Sequence, residues 1–426
     1  MMPSATTIFP LLLFTELLTT STTHATPLQK NQTASQPITI FPATAQNLPS
    51  HVQFESDSSL LPPILPPYGL DGPKIDIVNA SVFDWWYFDA VDSTDPRVSL
   101  VVTLFAASSD AFPYLAPSPE GKVLTAYLWA SFPNGTVFAE YVTAEIATVV
   151  ALGDGSKGDW DPTGFSWEGA GDMSRYEVRI ESGEMDVSGR MELGSVAPAH
   201  YPCAPASAGG GGKQTLQVAP HIGWANAVPD ATASVDFTIQ GTPLKITGGV
   251  GYHDQNWSDQ PFPLSVGSWY WGHARLGPYS LVWFDLIPPT PNPNNNNNVT
   301  NYVSGYVARN DGTTILLSSC DPARLHVRPT GTGGAEVRYP PRRGDGKPEG
   351  FHITFFNLGD GAAAAGGGGE GGVLSINVTA TAEIAGDGES YTRWTGTVTG
   401  GIDSGDGAGG EEVYEGVAVF EQFVLF

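Results

Sequence analysis

Apolar and polar residues alternate along several stretches of the chain, which is the pattern of β-strands with one buried face. Residues 176–180 alternate in this way, and residues 374–384 place Leu, Ile, Val or Ala at every second position. The β-branched run 98–105 is typical of a strand buried on both faces. Hairpin turns are predicted at Gly241 and Gly277, where strand-like runs meet. Because no stretch indicates a long amphipathic helix, we expect an all-β protein.

Composition agrees with strands joined by many turns. The chain has 426 residues, with 51 glycines and 35 prolines, which long helices do not tolerate. A chain of this length usually divides into about two or three domains. We expect two β domains, residues 71–260 and residues 261–426, with a ligand cleft at their junction.

The charge of the chain excludes several classes of partner. The formal net charge is −25, with only 19 Lys and Arg residues and no basic patch. Binding to nucleic acid or to an anionic membrane surface depends on clustered cations, so neither is expected. No stretch approaches the roughly 20 apolar residues that a membrane-spanning helix needs.

The N-terminal region indicates secretion. An apolar run over residues 8–18 leads to a small-residue site at His24-Ala25, so residues 1–25 are predicted to be a signal peptide. Residues 26–70 are rich in proline and polar residues and are expected to form an extended strap. We therefore expect a protein of the secretory pathway, secreted or held in a lumen or vesicle.

Glycosylation and cysteine chemistry fit the same compartment. Acceptor triplets predict N-linked glycans at five positions: Asn31, Asn79, Asn134, Asn298 and Asn377. The chain has two cysteines, Cys203 and Cys320. An oxidising compartment permits a disulfide between them, whereas the alternative is two buried thiols, and the sequence leaves both open.

Two aromatic clusters dominate the sequence, at residues 83–89 (FDWWYFD) and 251–257 (GYHDQNW). Each combines stiff indole rings with carboxylates or amides, and this mixture lines the pockets of apolar ligands. The clusters therefore predict a small-molecule site. The alternative is that the aromatic rings only fill a β core.

Cofactor chemistry has no support in the motifs. The histidines lack the close spacing of metal ligands, since His253-Asp254 stands far from His273. Ser166 misses the spacing of a nucleophile elbow, and Gly249 and Gly251 do not open a phosphate-binding helix. We expect no metal and no cofactor.

The remaining prediction is a cavity with aromatic walls and a few polar contacts. The predicted walls are Trp85 or Trp86, Tyr87, Trp257, Trp269 and Trp271, and the predicted polar contacts are Asp84, Asp89, His253, Asp254 and Asn256. Period-two geometry puts Asp84 and Trp86 on one face of their strand, and Trp85 and Tyr87 on the other. The acids and His253 also have structural readings, as turn caps or partners of buried N–H groups.

The ordered motifs resemble those of the fungal lipocalin-like Diels–Alderases, which are related to the carotenoid hydratase (hydroxyneurosporene synthase) family. The matching segments are residues 84–89, 195–203, 223–230, 251–257, 269–272, 394–396 and 414–416. The resemblance implies an N-terminal β-sandwich followed by a C-terminal lipocalin-like β-barrel, with the substrate held between them.

The resemblance also implies roles for particular residues. In some members a glutamate at the position of Asp84 contacts the substrate, and a tryptophan at the position of Trp257 lines the pocket. Trp86 and Trp394 join the candidate substrate contacts, and Asp84, His253, Asp254 and Asn256 are the candidate catalytic residues. A barrel lysine that some members use has no evident counterpart here, where the basic residue is Arg393.

The implied activity is a cofactor-independent [4+2] cycloaddition in a polyketide or terpenoid pathway, with the pocket folding an apolar polyene for ring closure. A hetero-Diels–Alder step that joins a tropolone quinone methide to a sesquiterpene is an alternative, in which Asp84 or Asp254 helps to expel water. Two further hypotheses are a non-catalytic carrier of an apolar metabolite, and an olefin hydratase or isomerase of the carotenoid hydratase type.

Overall fold

Strands of two antiparallel sheets make up most of the described chain. The computed structural model describes residues 37–56, 69–116, 118–205, 214–289, 300–359, 372–388, 390–403 and 412–425. Within these residues the two sheets are curled into half-barrels, and the fold is all-β, a β-sandwich followed by a lipocalin-like barrel. The signal peptide, Asn31 and Asn298 lie outside the described residues.

The first sheet contains strands β1 to β15. Their bounds are β1 Ile38–Pro42, β2 Phe83–Val91, β3 Ser99–Ala107, β4 Leu124–Ser131, β5 Val137–Thr143, β6 Ile146–Leu152, β7 Gly155–Asp161, β8 Phe165–Gly169, β9 Arg175–Ser182, β10 Val187–Ser195, β11 His200–Tyr201, β12 Ala204–Pro205, β13 Gln217–Ala219, β14 Ile222–Ile239 and β15 Thr242–Ser258. The main path of the sheet runs β1-β6-β7-β8-β9-β10-β14-β15-β2-β3-β4-β5.

The second sheet follows a short helix, α1 (Phe262–Ser265), and contains strands β16 to β24. Their bounds are β16 Ser268–Leu276, β17 Tyr279–Ile287, β18 Tyr302–Arg309, β19 Ile315–Ser319, β20 Leu325–Thr330, β21 Gly350–Leu358, β22 Gly372–Gly386, β23 Tyr391–Asp403 and β24 Tyr414–Val424. The order is β19-β18-β17-β16-β24-β23-β22-β21-β20. None of the helices in the described part of the chain has the length and apolar character needed to cross a bilayer.

The predicted hairpins are confirmed. Gln240 and Gly241 turn the chain between β14 and β15, and Gly277 turns it between β16 and β17. Gly241 and Gly277 have positive φ, which glycine adopts without steric cost. The sheets change over between Ser258 and Ser268. The division into two independent domains at residue 260 stays a prediction.

The strap is partly integrated into the first sheet. Residues 38–42 form β1, which pairs with β6, and Phe41 is fully buried. This part of residues 26–70 is extended, as predicted, but it is packed because Thr39 and Phe41 point inward while the alternating residues Ile38 and Ile40 are exposed.

Buried apolar side chains form three clusters in the described residues. One cluster fills the curled first sheet, a second lies between the two sheets, and a third fills the barrel of the second sheet. All nine residues of β2 are buried, because one face of this strand packs on the first cluster and the other on the second. The first half of β14 and the second half of β15 are buried in the same way.

Covalent and polar links join the sheets. Cys203, beside β12, forms a disulfide with Cys320, just after β19, which decides the alternative that the sequence left open. Buried Asp230 accepts hydrogen bonds from Arg275 at 2.6 and 3.0 Å, and from Ser280 at 2.5 Å. These contacts fix the second sheet against the inner half of β14.

Candidate functional site

A cavity that is partly open to solvent lies between the two sheets. We call it the inter-sheet cavity. It is lined by Trp85, Tyr87, Thr103, Phe105, Phe112, Tyr114, Leu115, Tyr127, Trp129, Asp254, Asn256, Trp269, Trp271, Tyr391, Arg393, Glu421 and Phe423.

Strand alternation decides which residues of the two aromatic clusters reach the cavity. β2 pairs with β15 so that Trp85 lies opposite Asn256 and Tyr87 lies opposite Asp254. Successive side chains of a strand point to opposite faces, so these four residues share the face that meets the second sheet. Trp271 in β16 packs edge-on against Tyr87, with the ring centroids 5.3 Å apart.

The expectation that Trp86 and Trp257 line the cavity with Trp271 is wrong. Trp86 and Trp257 lie on the opposite face of the same strands, in the cluster that fills the first sheet. The indole N–H of Trp86 donates to the carbonyl oxygen of Asp71 at 3.2 Å, and that of Trp257 donates to Gln53 at 2.8 Å. The reason is period-two geometry, because the face shared by Asp84 and Trp86 turns away from the second sheet.

Asp84 and His253 also lie on this inner face, away from the cavity. Asp84 accepts hydrogen bonds from the backbone N–H of Lys74 at 2.9 Å and from the Gln255 amide at 2.8 Å. Burial raises the pKa of Asp84 to about 7. His253 stacks on Phe88 at 3.9 Å and contacts the Tyr87 carbonyl at 2.9 Å. The predicted catalytic roles of Asp84 and His253 are therefore wrong in position, and both residues organise the core.

The remaining aromatic candidates divide between two environments. Trp269 and Trp271 in β16 line the cavity, as expected. Trp394 in β23 points into the barrel and stacks on Phe420, with ring centroids 5.6 Å apart, because its neighbour Arg393 takes the cavity face. Trp394 is therefore not a wall of this cavity, contrary to expectation.

Asp254 is the buried acid of the inter-sheet cavity. Its Oδ2 accepts hydrogen bonds from the Trp224 indole at 2.8 Å and the Tyr252 hydroxyl at 2.7 Å, and its Oδ1 accepts from the Asn256 amide at 3.1 Å. Burial raises the pKa of Asp254 to about 7, against the opposing effect of the hydrogen bonds from Trp224 and Tyr252. A carboxyl group with such a pKa can give and take a proton near neutral pH.

Arg393 and Glu421 form a buried ion pair at the cavity wall. The Arg393 Nε and Nη2 atoms both donate to Glu421 Oε2, at 3.1 and 3.0 Å. The guanidinium also lies over the Tyr87 ring at 4.6 Å and the Trp129 ring at 5.4 Å. Stacking and the two hydrogen bonds to one carboxylate oxygen together hold the guanidinium in one orientation.

A polar contact chain continues behind Tyr87. The Tyr87 hydroxyl donates to Asp89 at 2.7 Å, and His273 Nε2 lies 2.9 Å from the same carboxyl group. Asp89 and His273 do not line the cavity. Asp89, a candidate polar contact in the sequence, therefore acts on the cavity only through Tyr87.

Several walls come from segments that sequence reasoning did not single out. Phe112, Tyr114 and Leu115 belong to the connection between β3 and β4, which covers the cavity. Tyr127 and Trp129 alternate along β4 and stack with their ring centroids 5.0 Å apart. The period-two pattern of β4 was a usable signal, but the covering loop has no periodic pattern.

The described residues contain no group of three or more His, Cys, Asp or Glu side chains arranged to hold a metal ion.

Comparison with known proteins identifies the family of the chain. The model of the Diels-Alderase-like family matches residues 44–318 of the 426-residue chain.

The chain belongs to the Diels-Alderase-like family. This confirms the resemblance seen in the motifs.

The chain is similar to fungal relatives, over most of its length in one case and over half of it in another. The chain is 35% identical over 356 residues to the quinolone epoxide rearrangement protein asqO of Emericella nidulans, which covers 83% of this chain and 87% of asqO. The Diels-Alderase cheD of Chaetomium globosum is 24% identical over 212 residues, covering 50% of this chain and 48% of cheD. Named relatives of the chain in fungal secondary metabolism thus include Diels–Alderases and quinolone epoxide rearrangement proteins, which supports a cyclase or pericyclase enzyme.

The crystal structure of CghA with Sch210972 shares the fold of this Diels-Alderase-like chain. It is 20% identical, covers 91% of this chain and 98% of the CghA chain, and superposes with a TM-score of 0.66. The likeness confirms the predicted architecture of sandwich and lipocalin-like barrel.

Proposed function

We propose that the protein is a cofactor-independent enzyme that rearranges or cyclises a quinolone epoxide inside the inter-sheet cavity. The observation that carries this proposal is Asp254, a carboxyl group with a pKa of about 7 in a cavity with aromatic walls. Support comes from asqO and from penF of Penicillium thymicola, both named quinolone epoxide rearrangement proteins and both 35% identical to the chain.

Rearrangement of the epoxide requires one acid to protonate the epoxide oxygen and cavity walls that stabilise a positive charge. Protonated Asp254 donates its proton to the epoxide oxygen, and the adjacent C–O bond breaks with both electrons going to oxygen. When a neighbouring group migrates with its bonding electrons, the positive charge moves to the oxygen-bearing carbon, whose hydroxyl becomes a carbonyl as it loses its proton. Alternatively, an internal nucleophile closes a ring on the cationic carbon and then loses its proton. The proton released in the last step returns to the Asp254 carboxylate, so the product is an isomer of the substrate.

The walls stabilise the charge that develops during this step. The faces of Trp and Tyr rings attract cations, by about 2 kcal/mol when the site is desolvated. Trp85, Trp269 and Trp271 surround the cavity together with Tyr87. The same rings limit the conformations of the substrate, which directs migration or ring closure to one face.

A [4+2] cycloaddition is the second candidate function. It is supported by Diels–Alderase relatives such as cheD and by cavity donors that point at no protein acceptor, including Trp269 Nε1 and Arg393 Nη1. Donors aimed at developing negative charge can contribute about 3 kcal/mol to a transition state. In this reaction the enzyme folds a polyene and polarises the dienophile carbonyl, and Asp254 needs to transfer no proton.

The test incubates the purified protein separately with a quinolone epoxide and with a linear triene that carries a dienophile, and follows products by chiral chromatography and mass. Epoxide rearrangement predicts a new isomer of unchanged mass that depends on Asp254. Turnover of the triene alone supports the second candidate and overturns the first. A mass gain of one water from either probe indicates the hydratase hypothesis, and binding without conversion indicates a carrier.

We further propose that the chain enters the secretory pathway and is N-glycosylated. The disulfide between Cys203 and Cys320 suits an oxidising compartment. Asn134 is exposed in the turn between β4 and β5, whereas Asn79 donates its side-chain amide to the Leu48 carbonyl at 3.0 Å. Asn377 is exposed but contacts His352 at 2.9 Å. Asn134 Oδ1 accepts hydrogen bonds from the Thr136 N–H at 3.0 Å and the Thr136 hydroxyl at 2.7 Å, so its contacts, like that of Asn377, use the oxygen and not the nitrogen that carries a glycan, whereas Asn79 uses that nitrogen. We therefore expect Asn134 to be occupied before Asn79.

A further inference from the structure

Four residues of the cavity wall carry buried polar atoms that have no hydrogen-bond partner in the described structure. The atoms are Thr103 Oγ1, Asn256 Oδ1, Trp269 Nε1 and Arg393 Nη1. A buried polar atom without a partner costs about 1–3 kcal/mol, so such atoms are rare in stable proteins. Thirteen such atoms occur among the described side chains, and these four belong to the wall of one cavity, where a bound ligand can supply the missing partners.

The orientation of the Asn256 side-chain amide is fixed by Asp254. Asn256 Nδ2 donates to Asp254 Oδ1 at 3.1 Å, and the other oxygen of Asp254 already accepts from Trp224 and Tyr252. An amide turned the other way would place two oxygens against each other when Asp254 is ionised, and when Asp254 is protonated it would accept the proton that the reaction needs. Asn256 therefore keeps its nitrogen on Asp254 and leaves its oxygen as an acceptor for a ligand.

The contacts of Arg393 also decide which of its nitrogens can donate to a ligand. Glu421 accepts from Nε and Nη2, and Nη1 is the guanidinium nitrogen that has no acceptor among the described residues. Glu421 also balances the charge of the guanidinium, in a chain whose net charge is −25. A neutral carbonyl oxygen suits this donor better than a carboxylate, because a buried anion would add a charge without a counterion.

We propose that Asn256 and Arg393 are the specificity residues for a ring lactam. The N–H of the lactam donates to Asn256 Oδ1, and its carbonyl oxygen accepts from Arg393 Nη1. A lactam fused to an aromatic ring presents one donor and one acceptor in the plane of a flat body, which fits a slot walled by indole and phenol rings. The inference rests on the proposed function and names the part of the substrate that these residues recognise.

The test measures binding of two isosteric probes to the full-length protein by calorimetry. Quinolin-2(1H)-one presents the lactam N–H, and coumarin replaces that N–H with an ether-type oxygen while keeping the carbonyl. The wild type is expected to bind the lactam at least about tenfold more tightly, because coumarin sets an acceptor against Asn256 Oδ1. Equal binding of the two probes to the wild type overturns the proposal, without any variant being needed.

Variants assign the preference to the two residues. Asn256→Leu is expected to remove the preference for the lactam, and Arg393→Lys to weaken both probes by a similar factor, because both carry the carbonyl. Asn301→Leu is the matched control, since Asn301 donates to the buried carboxyl of Asp285 at 3.1 Å and does not line the cavity. Loss of the preference in Asn301→Leu, or its retention in Asn256→Leu, contradicts the assignment.

Binding and catalysis fail separately in this design. If the wild type prefers the lactam but rearranges no epoxide, the roles of Asn256 and Arg393 in recognition are supported and the proposed reaction is wrong. If epoxide is rearranged and the probes bind equally, the proposed reaction is supported and the roles of Asn256 and Arg393 in recognition are wrong.

Discussion

The replacement Asp254→Asn gives the sharpest prediction for the chemistry. Asparagine keeps the shape of the side chain and an oxygen that can accept from Trp224 and Tyr252, but it has no proton to transfer. Removing a general acid costs typically 10²–10⁴-fold in rate. The kcat for epoxide rearrangement is therefore expected to fall by about that factor, while the variant stays folded.

The pH dependence follows from the raised pKa of Asp254. With a pKa of about 7, the carboxyl group is about nine-tenths protonated at pH 6 and about one-tenth protonated at pH 8. Because the protonated form is the active one, kcat should fall about tenfold between these two values. Of the neighbouring titratable groups, His253 acts to lower the pKa of Asp254 and Glu421 acts to raise it. The residual activity of Asp254→Asn should not follow this profile.

The assay measures initial rates against pH for the wild type and for two variants. Asp285→Asn is the matched control, because burial also raises the pKa of Asp285, to about 6, and this residue accepts from the Tyr339 hydroxyl outside the cavity. It should keep the rate and the profile of the wild type. Asp84 also has a pKa of about 7, so the profile alone does not identify the acid. An Asp254→Asn variant with wild-type kcat and an unchanged profile would refute the reasoning.

Three further predictions concern the framework. Trp257→Ala should lower the free energy of unfolding by about 3–5 kcal/mol in denaturant titrations and leave the product ratio unchanged, because Trp257 is a fully buried core residue; an altered product ratio with full stability would show that it contacts substrate. Replacing both Cys203 and Cys320 by serine should cost about 2–5 kcal/mol in the same titrations, since their disulfide joins residues 117 apart in sequence; unchanged stability would argue against the bond. Asn134→Gln should remove one glycan from the native protein in gel-mobility measurements with and without endoglycosidase. If endoglycosidase leaves the wild-type mobility unchanged, the secretory proposal fails.

Much of the fold could be predicted from the sequence, because alternation and turn chemistry are local properties. The strand at residues 98–105, the hairpin turns at Gly241 and Gly277, and the all-β class all follow from residues close together in the chain. The pairing of Cys203 with Cys320 did not follow, because it depends on how the two sheets pack. It stayed an even alternative until the structure joined them.

The sequence predicted two of the strands that form the site, but not which face of each strand lines the cavity. Alternation correctly separated Trp85 and Tyr87 from Asp84 and Trp86, but it did not say which pair faces a ligand. In most strands a polar face marks the solvent side, whereas every residue of β2 is buried. The acid of the cavity is therefore Asp254, not Asp84.

Residues that act across the sheet interface carried the weakest signal. Arg393 was visible only as a basic residue that replaces an expected lysine, and its contacts with Tyr87 and Glu421 bring together three separate strands. Such contacts depend on tertiary packing between elements distant in sequence. Phe112, in the loop that covers the cavity, was missed because that loop has no periodic hydrophobic pattern.

The central claim is that substrate binds between the sheets, against Trp85 and Trp271 and beside Asp254. A crystal structure of the protein with a bound quinolone product tests this claim directly. The account predicts the quinolone ring in the inter-sheet cavity, with the Asp254 carboxyl group within hydrogen-bond distance of the oxygen derived from the epoxide. A product found inside the barrel beside Trp394, or in the core beside Trp257, would contradict it.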